Sequence, residues 1–393
     1  MRKGWEYKKL GEVCCPKSKI QRATKCFGGS DEILYIDISS IDNSVQEVNS
    51  ITSFTMSNAP SRAQQKVEYG DIIVSTVRPN LKNVAFIKQH DSNLVASSGF
   101  CVLRTTDDIE RNYLFRYITS DIFTQHLMKL TTGANYPAVR DLDVRDSTIP
   151  LPPKSTQLAI VSELDKINEL IRLKKEQLKD FDNLAQSLFY EMFGDPVENE
   201  KGWEVKKLNE IVSDNCSISY GIVQPGDGVE NGVPVVRPVD MTKTFVSRKG
   251  LKNTTKEISD SYKRTILKGN EILMCVRGTT GLISMATPEL QGCNVTRGIA
   301  PIECGPTCDK WFVFYQILNP AIQHHIAEYT RGIALKQINM KDVRDIPLCL
   351  PPLPLQHLFA QRIEQIEHQK SEVQKAITDL ETLLASRMQY WFE

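Results

Sequence analysis

The residues best suited to catalysis in this 393-residue chain are Asp195 and the Glu204-x-Lys206 pair. Two acids and a lysine at such spacing loosely resemble a metal-dependent nuclease constellation, in which carboxylates hold a divalent ion beside the scissile phosphate. The same Glu-x-Lys recurs at Glu6 and Lys8 without an upstream acid. Alternating charge along a strand edge accounts for both. The other chemistries lack their residues. There is no GxxxxGK[ST] loop, GxGxxG turn, HExxH helix or GxSxG elbow, and Asn319-Pro320-Ala321 only superficially resembles a methyltransferase NPPY. Ten cysteines include no CxxC pair, and the six histidines do not cluster with carboxylates. Reduced, mostly buried thiols and no metal site are expected, which points to the cytoplasm. No catalytic residue is assigned.

Side chains that could read nucleic acid are present in loops. Arg78-Pro-Asn80-x-Lys82 is one group, and Arg277-Gly-Thr279 is another. Arg140 beside Tyr136, Arg297, and Arg331 with Lys336 complete the set. Arginine can pair with guanine, asparagine with adenine, and lysine with phosphate. Arg78 and Arg277 gain weight because they fall at matched places in a repeat. The chain is formally neutral, with 48 basic and 48 acidic residues, yet residues 1–30 carry eight Lys or Arg against Glu6 and Glu12. A neutral sum can hide basic lobes.

The elements that must position these loops are duplicated. GWEYKKLGEV at 4–13 returns as GWEVKKLNEI at 202–211. GDIIVSTVR (70–78) returns as GNEILMCVR (269–277), DVRD (143–146) at 342–345, and LPP (151–153) at 350–352. Gln157 matches Gln356, and Phe193 matches Phe392. A fixed offset over such a length indicates tandem duplication. Residues 14–66 diverge from their counterpart, which reads as a variable region that is not repeated. Each copy predicts β-prone segments with Gly and Asn turns, a helix near 111–130 or 310–329, a glycine loop and a rigid Pro-Pro stop.

A long helix follows each stop. Ile160, Leu164, Ile167, Ile171 and Leu178 recur at steps of three and four, as do Ile363, Ile366, Val373, Ile377 and Leu380. Lys174 interrupts one seam and Lys370 the other. Each helix spans about 36 residues, or about 54 Å. The order lobe, helix, lobe, helix predicts an α+β fold with two globular domains joined by two antiparallel coiled-coil helices about a pseudo-twofold axis. The predicted domains are 1–152 and 195–351, with helical spacers at 153–194 and 352–393. Composition is ordinary for a globular protein, and no apolar run is long enough to cross a bilayer.

Tandem GWE-x-KKL starts, GD-x-I strand entries, IPLPP closing a lobe and a long helix after it resemble the specificity subunit of type I restriction–modification systems. The resemblance covers essentially the full chain. It implies two target-recognition domains, each reading one part of a split double-stranded DNA sequence, with the helices setting the gap. It also implies partners: two modification subunits that methylate adenine with S-adenosylmethionine, and restriction subunits that translocate and cleave with ATP and Mg. No cofactor is expected on this chain. Cys349, within the LCLPP of the second copy, departs from the family pattern. Two other readings stay open: a recognition subunit related to fused restriction–methylation enzymes, and a coiled-coil scaffold with protein-binding lobes.

Overall fold

The computed structural model describes residues 4–133, 137–226, 228–332 and 335–393. Two compact units divide the chain, one formed by residues 1–175 with 375–393 and the other by residues 176–374. The helices Lys154–Phe193 and Leu353–Phe392, 40 residues each, therefore contribute a segment to both.

Each unit closes by pairing its first and last strands. In the first, Glu6–Lys9 runs antiparallel to Thr148–Leu151. In the second, Glu204–Lys207 does the same with Pro347–Leu350. The repeated glutamines lock the junction between this closure and the long helix. Gln157 accepts the Glu110 N–H (2.7 Å) and donates to the Pro152 carbonyl (2.8 Å). Gln356 repeats this with the Asp309 N–H (2.9 Å) and Pro351 carbonyl (2.7 Å). Both amides are buried, so each polar atom left unpaired would carry a desolvation cost. DVRD is repeated for a similar reason. Arg145 is buried and donates to the carbonyls of Cys15 (3.0 Å) and Val102 (2.7 Å). Arg344 donates to those of Ser217 (3.2 Å) and Ile218 (2.9 Å).

Inside each unit lies an antiparallel three-stranded sheet. The order is Phe100–Leu103, Ile72–Ser75, Val84–Phe86 in the first, and Ile299–Ile302, Ile272–Cys275, Ile283–Met285 in the second. Branched residues on the central strand are buried on both faces, as continuous apolar runs require. A second, mixed sheet flanks it. Glu32–Ile36 lies parallel to Leu94–Ser97 and antiparallel to Thr52–Thr55. Val233–Val236 lies parallel to Asn294–Val295 and antiparallel to Lys252–Thr254. The region expected to be unrepeated thus keeps its strand directions in both units. Its sequence diverges because a strand needs only apolar residues on its buried faces, and many sequences supply them.

The expected helices at 111–130 and 310–329 are each broken in two. Ser120 caps Asp121–Leu130 through its hydroxyl, which accepts the Phe123 N–H (3.2 Å). Asn319 caps Pro320–Glu328, where Pro320 takes the first helical position.

Seam residues Ile160, Leu164, Ile167, Ile171, Ile363, Ile366, Val373 and Ile377 are buried, while Leu178 and Leu380 are half-buried. In the first unit Glu163 accepts hydrogen bonds from Arg387 and from Trp391 Nε1 (3.0 Å), and Lys175 pairs with Glu381 (3.0 Å). In the second, Phe189 packs on Phe359 (5.7 Å), and Lys370 pairs with Asp182 (2.8 Å) and Glu367 (2.7 Å). Residue numbers fall on one helix as they rise on the other, so the segments are antiparallel within each unit. The seam then merges with the lobe cores. Phe392 packs against Tyr113 (5.4 Å) and Tyr117 (5.5 Å), and Phe193 packs against Phe312 (4.8 Å).

Ile366→Asp would place an unpaired carboxylate in the second core and should lower unfolding free energy by on the order of 3 kcal/mol or more. Leu358→Asp, on the same helix but 43% exposed, should change it by less than about 1 kcal/mol. Denaturant midpoints of the two variants check this, and equal losses would contradict it.

Candidate nucleic-acid interface

In each unit the chain leaving the central strand meets a second loop at a shared backbone edge. In the first unit Val77 bridges Ala138, and the Arg78 N–H donates to the Pro137 carbonyl (2.7 Å). Val139 donates to the Thr76 carbonyl (2.9 Å). In the second, Arg277 bridges Gln337, Gly278 donates to the Lys336 carbonyl (2.8 Å), and Ile338 donates to the Val276 carbonyl (3.1 Å). Arg331 and Gln337 exchange two backbone hydrogen bonds of 2.8 Å, closing the second loop on itself.

These hydrogen bonds correct the alignment of the two arginines. They place Arg78 opposite Gly278, and Val77 opposite Arg277. The register is anchored by a buried acid rather than by the glycine that the sequences share. Asp71 accepts the Glu68 N–H (2.9 Å), and Glu271 accepts the N–H groups of Gly269 (3.0 Å) and Asn270 (3.1 Å) and also that of Lys268. Counting from these caps, the glycines Gly70 and Gly269 stand one residue apart. The backbone agrees, since Arg78 has φ +51° where its true counterpart Gly278 has φ +91°. A non-glycine residue in the left-handed region is strained, and such strain gathers at functional positions.

Arg78 and Asn80 are exposed, Asn80 on the short turn Pro79–Leu81. Lys82, also left-handed at φ +50°, pairs with Asp121 (2.6 Å). Arg140 stands at the start of the helix Asp141–Arg145 and is held by Asp143 (2.6 Å). Thr279, Arg331 and Lys336 are exposed, and Arg277 is half-buried. Arg297 joins this edge through its neighbour, because Gly298 accepts the Val276 N–H (2.8 Å). Tyr136 lies outside the described residues. Asp195 has a different task from the nuclease-like one, because its carboxylate accepts the Val197 (2.8 Å) and Glu198 (3.1 Å) N–H groups and so caps a turn. Among the described residues no three His, Cys, Asp or Glu side chains are grouped to hold a metal ion.

Sequence reasoning missed the turn that follows the central strand of the mixed sheet. It spans Ile38–Ser40 after Asp37, and Pro238–Asp240 after Arg237. Gly99 and Gly298 lie directly beneath. A Cβ added there would come within 2.9 Å of Ile38 and 2.8 Å of Pro238. The signal was an aliphatic run ending in Asp-x-x-Ser or Arg-x-x-Asp, hidden by the divergence around it.

A family model for the type I restriction modification DNA specificity domain matches residues 2–180 and again residues 200–382. This chain belongs to that family. The EcoBI specificity subunit of Escherichia coli is 24% identical over 285 residues, a match covering 66% of this chain and 57% of that protein. The MjaIX specificity subunit of Methanocaldococcus jannaschii is 22% identical, over 79% of this chain and 74% of the relative. A chain from a solved type I restriction–modification system superposes with a TM-score of 0.66 at 27% identity, covering 100% of this chain and 98% of the other. The specificity subunit of M. genitalium, at 14% identity and a TM-score of 0.51, shares the fold over 99% of this chain and 96% of its own. The two specificity domains coincide with the two copies read from the repeat.

Arg78→Gly tests the loop edge of the first specificity domain. Relief of left-handed strain is worth about 1 kcal/mol, so the unfolding temperature should hold or rise. DNA affinity of the assembled complex should fall. Unfolding temperature by calorimetry and affinity by fluorescence anisotropy check the pair, and a destabilised variant with unchanged affinity would contradict it.

Proposed function

We propose that this chain reads an interrupted duplex DNA target, one half with each unit, and brings the modification and restriction subunits to it. The observation that carries this is the pair of matched loop edges, alike in backbone hydrogen bonding and different in exposed side chains. A shared frame fixes where a reader stands, and the side chain chooses what is read. Arg78 with Asn80 and Arg140 would serve one half-site, and Arg277 with Thr279, Arg297, Arg331 and Lys336 the other.

The chain supplies recognition and no catalysis in this reading. Two modification subunits would bring S-adenosylmethionine and methylate adenine, and restriction subunits would bring ATP and Mg. The long helices carry exposed leucines, including Leu158, Leu170 and Leu184, that suit them to hold partners. Work in the cytoplasm, where DNA and these partners meet, fits a chain in which no described helix is long and apolar enough to cross a membrane.

Exchange of residues 1–152 for the corresponding segment of another specificity subunit tests the division of labour. Sequencing of methylated adenines in cells expressing the hybrid with its partners should show one half-site replaced and the other kept. A hybrid that alters both halves together, or neither, would overturn the proposal.

A further inference from the structure

Two arginines in the candidate interface are held by the same device. Arg237 donates its backbone N–H (2.8 Å) and its Nε–H (3.0 Å) to Asp240 Oδ2, and its Nη2–H to Oδ1 (2.8 Å). Arg140 donates the same three groups to Asp143, at 2.8, 3.1 and 2.6 Å. In both cases the aspartate lies three residues on, in the first turn of a short helical segment.

This clamp has a defined consequence for the guanidinium. Nε and one Nη2 hydrogen face the carboxylate, so the plane of the fork is set. The two Nη1 hydrogens and the second Nη2 hydrogen remain on the far edge. That edge offers two parallel N–H donors, the arrangement that guanine accepts through O6 and N7 in the major groove. The ordering cost of a long side chain is met before DNA arrives. The Arg140 side chain is exposed, where an ion pair adds little to stability, and the Arg237–Asp240 pair is half-buried; in both, the two-point contact fixes the orientation of the fork.

The place of Arg237 in the repeat points the same way. Its counterpart in the first unit is Asp37, which begins an equivalent turn with its N–H donating to Ser40 Oγ (3.1 Å). The backbone of the turn is kept, and the group it presents changes from donor to acceptor. The counterpart of Arg140 is Asn339, which begins the helix Met340–Arg344. Among the described residues, each unit therefore carries one arginine held in this three-point way by the aspartate three residues on, at a different place on a common frame. That is how two half-sites with guanines at different positions would be written.

We propose that Arg237 and Arg140 are guanine-reading residues, one in each unit, and that Asp240 and Asp143 are the positioning residues that aim them. This rests on the DNA reading proposed above.

The test uses the full chain assembled with its modification subunits, and duplexes in which each base pair of the target is replaced in turn. Arg237→Lys keeps the charge and loses the fork. It should reduce discrimination at one G·C pair of one half-site by on the order of tenfold or more, with discrimination in the other half-site unchanged. Arg140→Lys should do the same in the other half. Asp240→Asn should move the same position as Arg237→Lys by a smaller factor, and it reports that position if the lysine variant binds too weakly to score. An affinity loss uniform across all duplexes would mark a phosphate contact and overturn the inference, as would unchanged discrimination. A wild-type complex that binds all duplexes alike would instead overturn the DNA reading itself.

Discussion

The structure depends on a constraint that neither long helix can satisfy alone. Each carries an apolar stripe, interrupted at Lys174 in one and Lys370 in the other, and each stripe is buried by merging with a lobe core and an antiparallel segment of the other helix. The first unit needs Ile160 and Leu164 from one helix and Phe392 from the other. The second needs Phe189 and Phe193 together with Phe359 and Ile363. The core of the first unit is thus unfinished until Phe392 arrives. Contacts so distant in sequence carry a loop-closure cost and slow folding. Charged groups sharpen the fit, because Glu163 accepts from both Arg387 and Trp391 and is held below the usual carboxylate range chiefly by Arg387.

This shared base explains how the loops it carries can vary. The buried acids Asp71 and Glu271 and the glycines under the turns fix backbone position in both units. Exposed or half-buried positions on that frame then differ: Arg78 against Gly278, Asp37 against Arg237, Arg140 against Asn339. Variation at such sites leaves the core untouched, whereas change in the seam reaches a whole unit.

Much of this frame was legible in the sequence, and the misses share a physical cause. The heptad stripes, the Pro-Pro stops, and the matched Gln157 and Gln356 are set by local geometry and by the need to pair buried polar groups. Identity of residue type is a weaker guide to register. Gly70 and Gly269 look equivalent because glycine suits any turn position with positive φ, while the hydrogen bonds of Asp71 and Glu271 set the count. The mixed sheet escaped notice because strand pairing constrains burial pattern more than residue identity. Arg237 escaped with it, since a single arginine in a divergent stretch has no visible partner until Asp240 is seen folded back onto it.

The central claim is that two similar frames carrying different side chains read two different half-sites. The most direct measurement is the adenine methylation pattern laid down by the unaltered chain with its modification subunits, sequenced across a genome. An interrupted target is expected, with two halves that differ and are not inverted copies of one another. A continuous target, or a palindromic one, would contradict it.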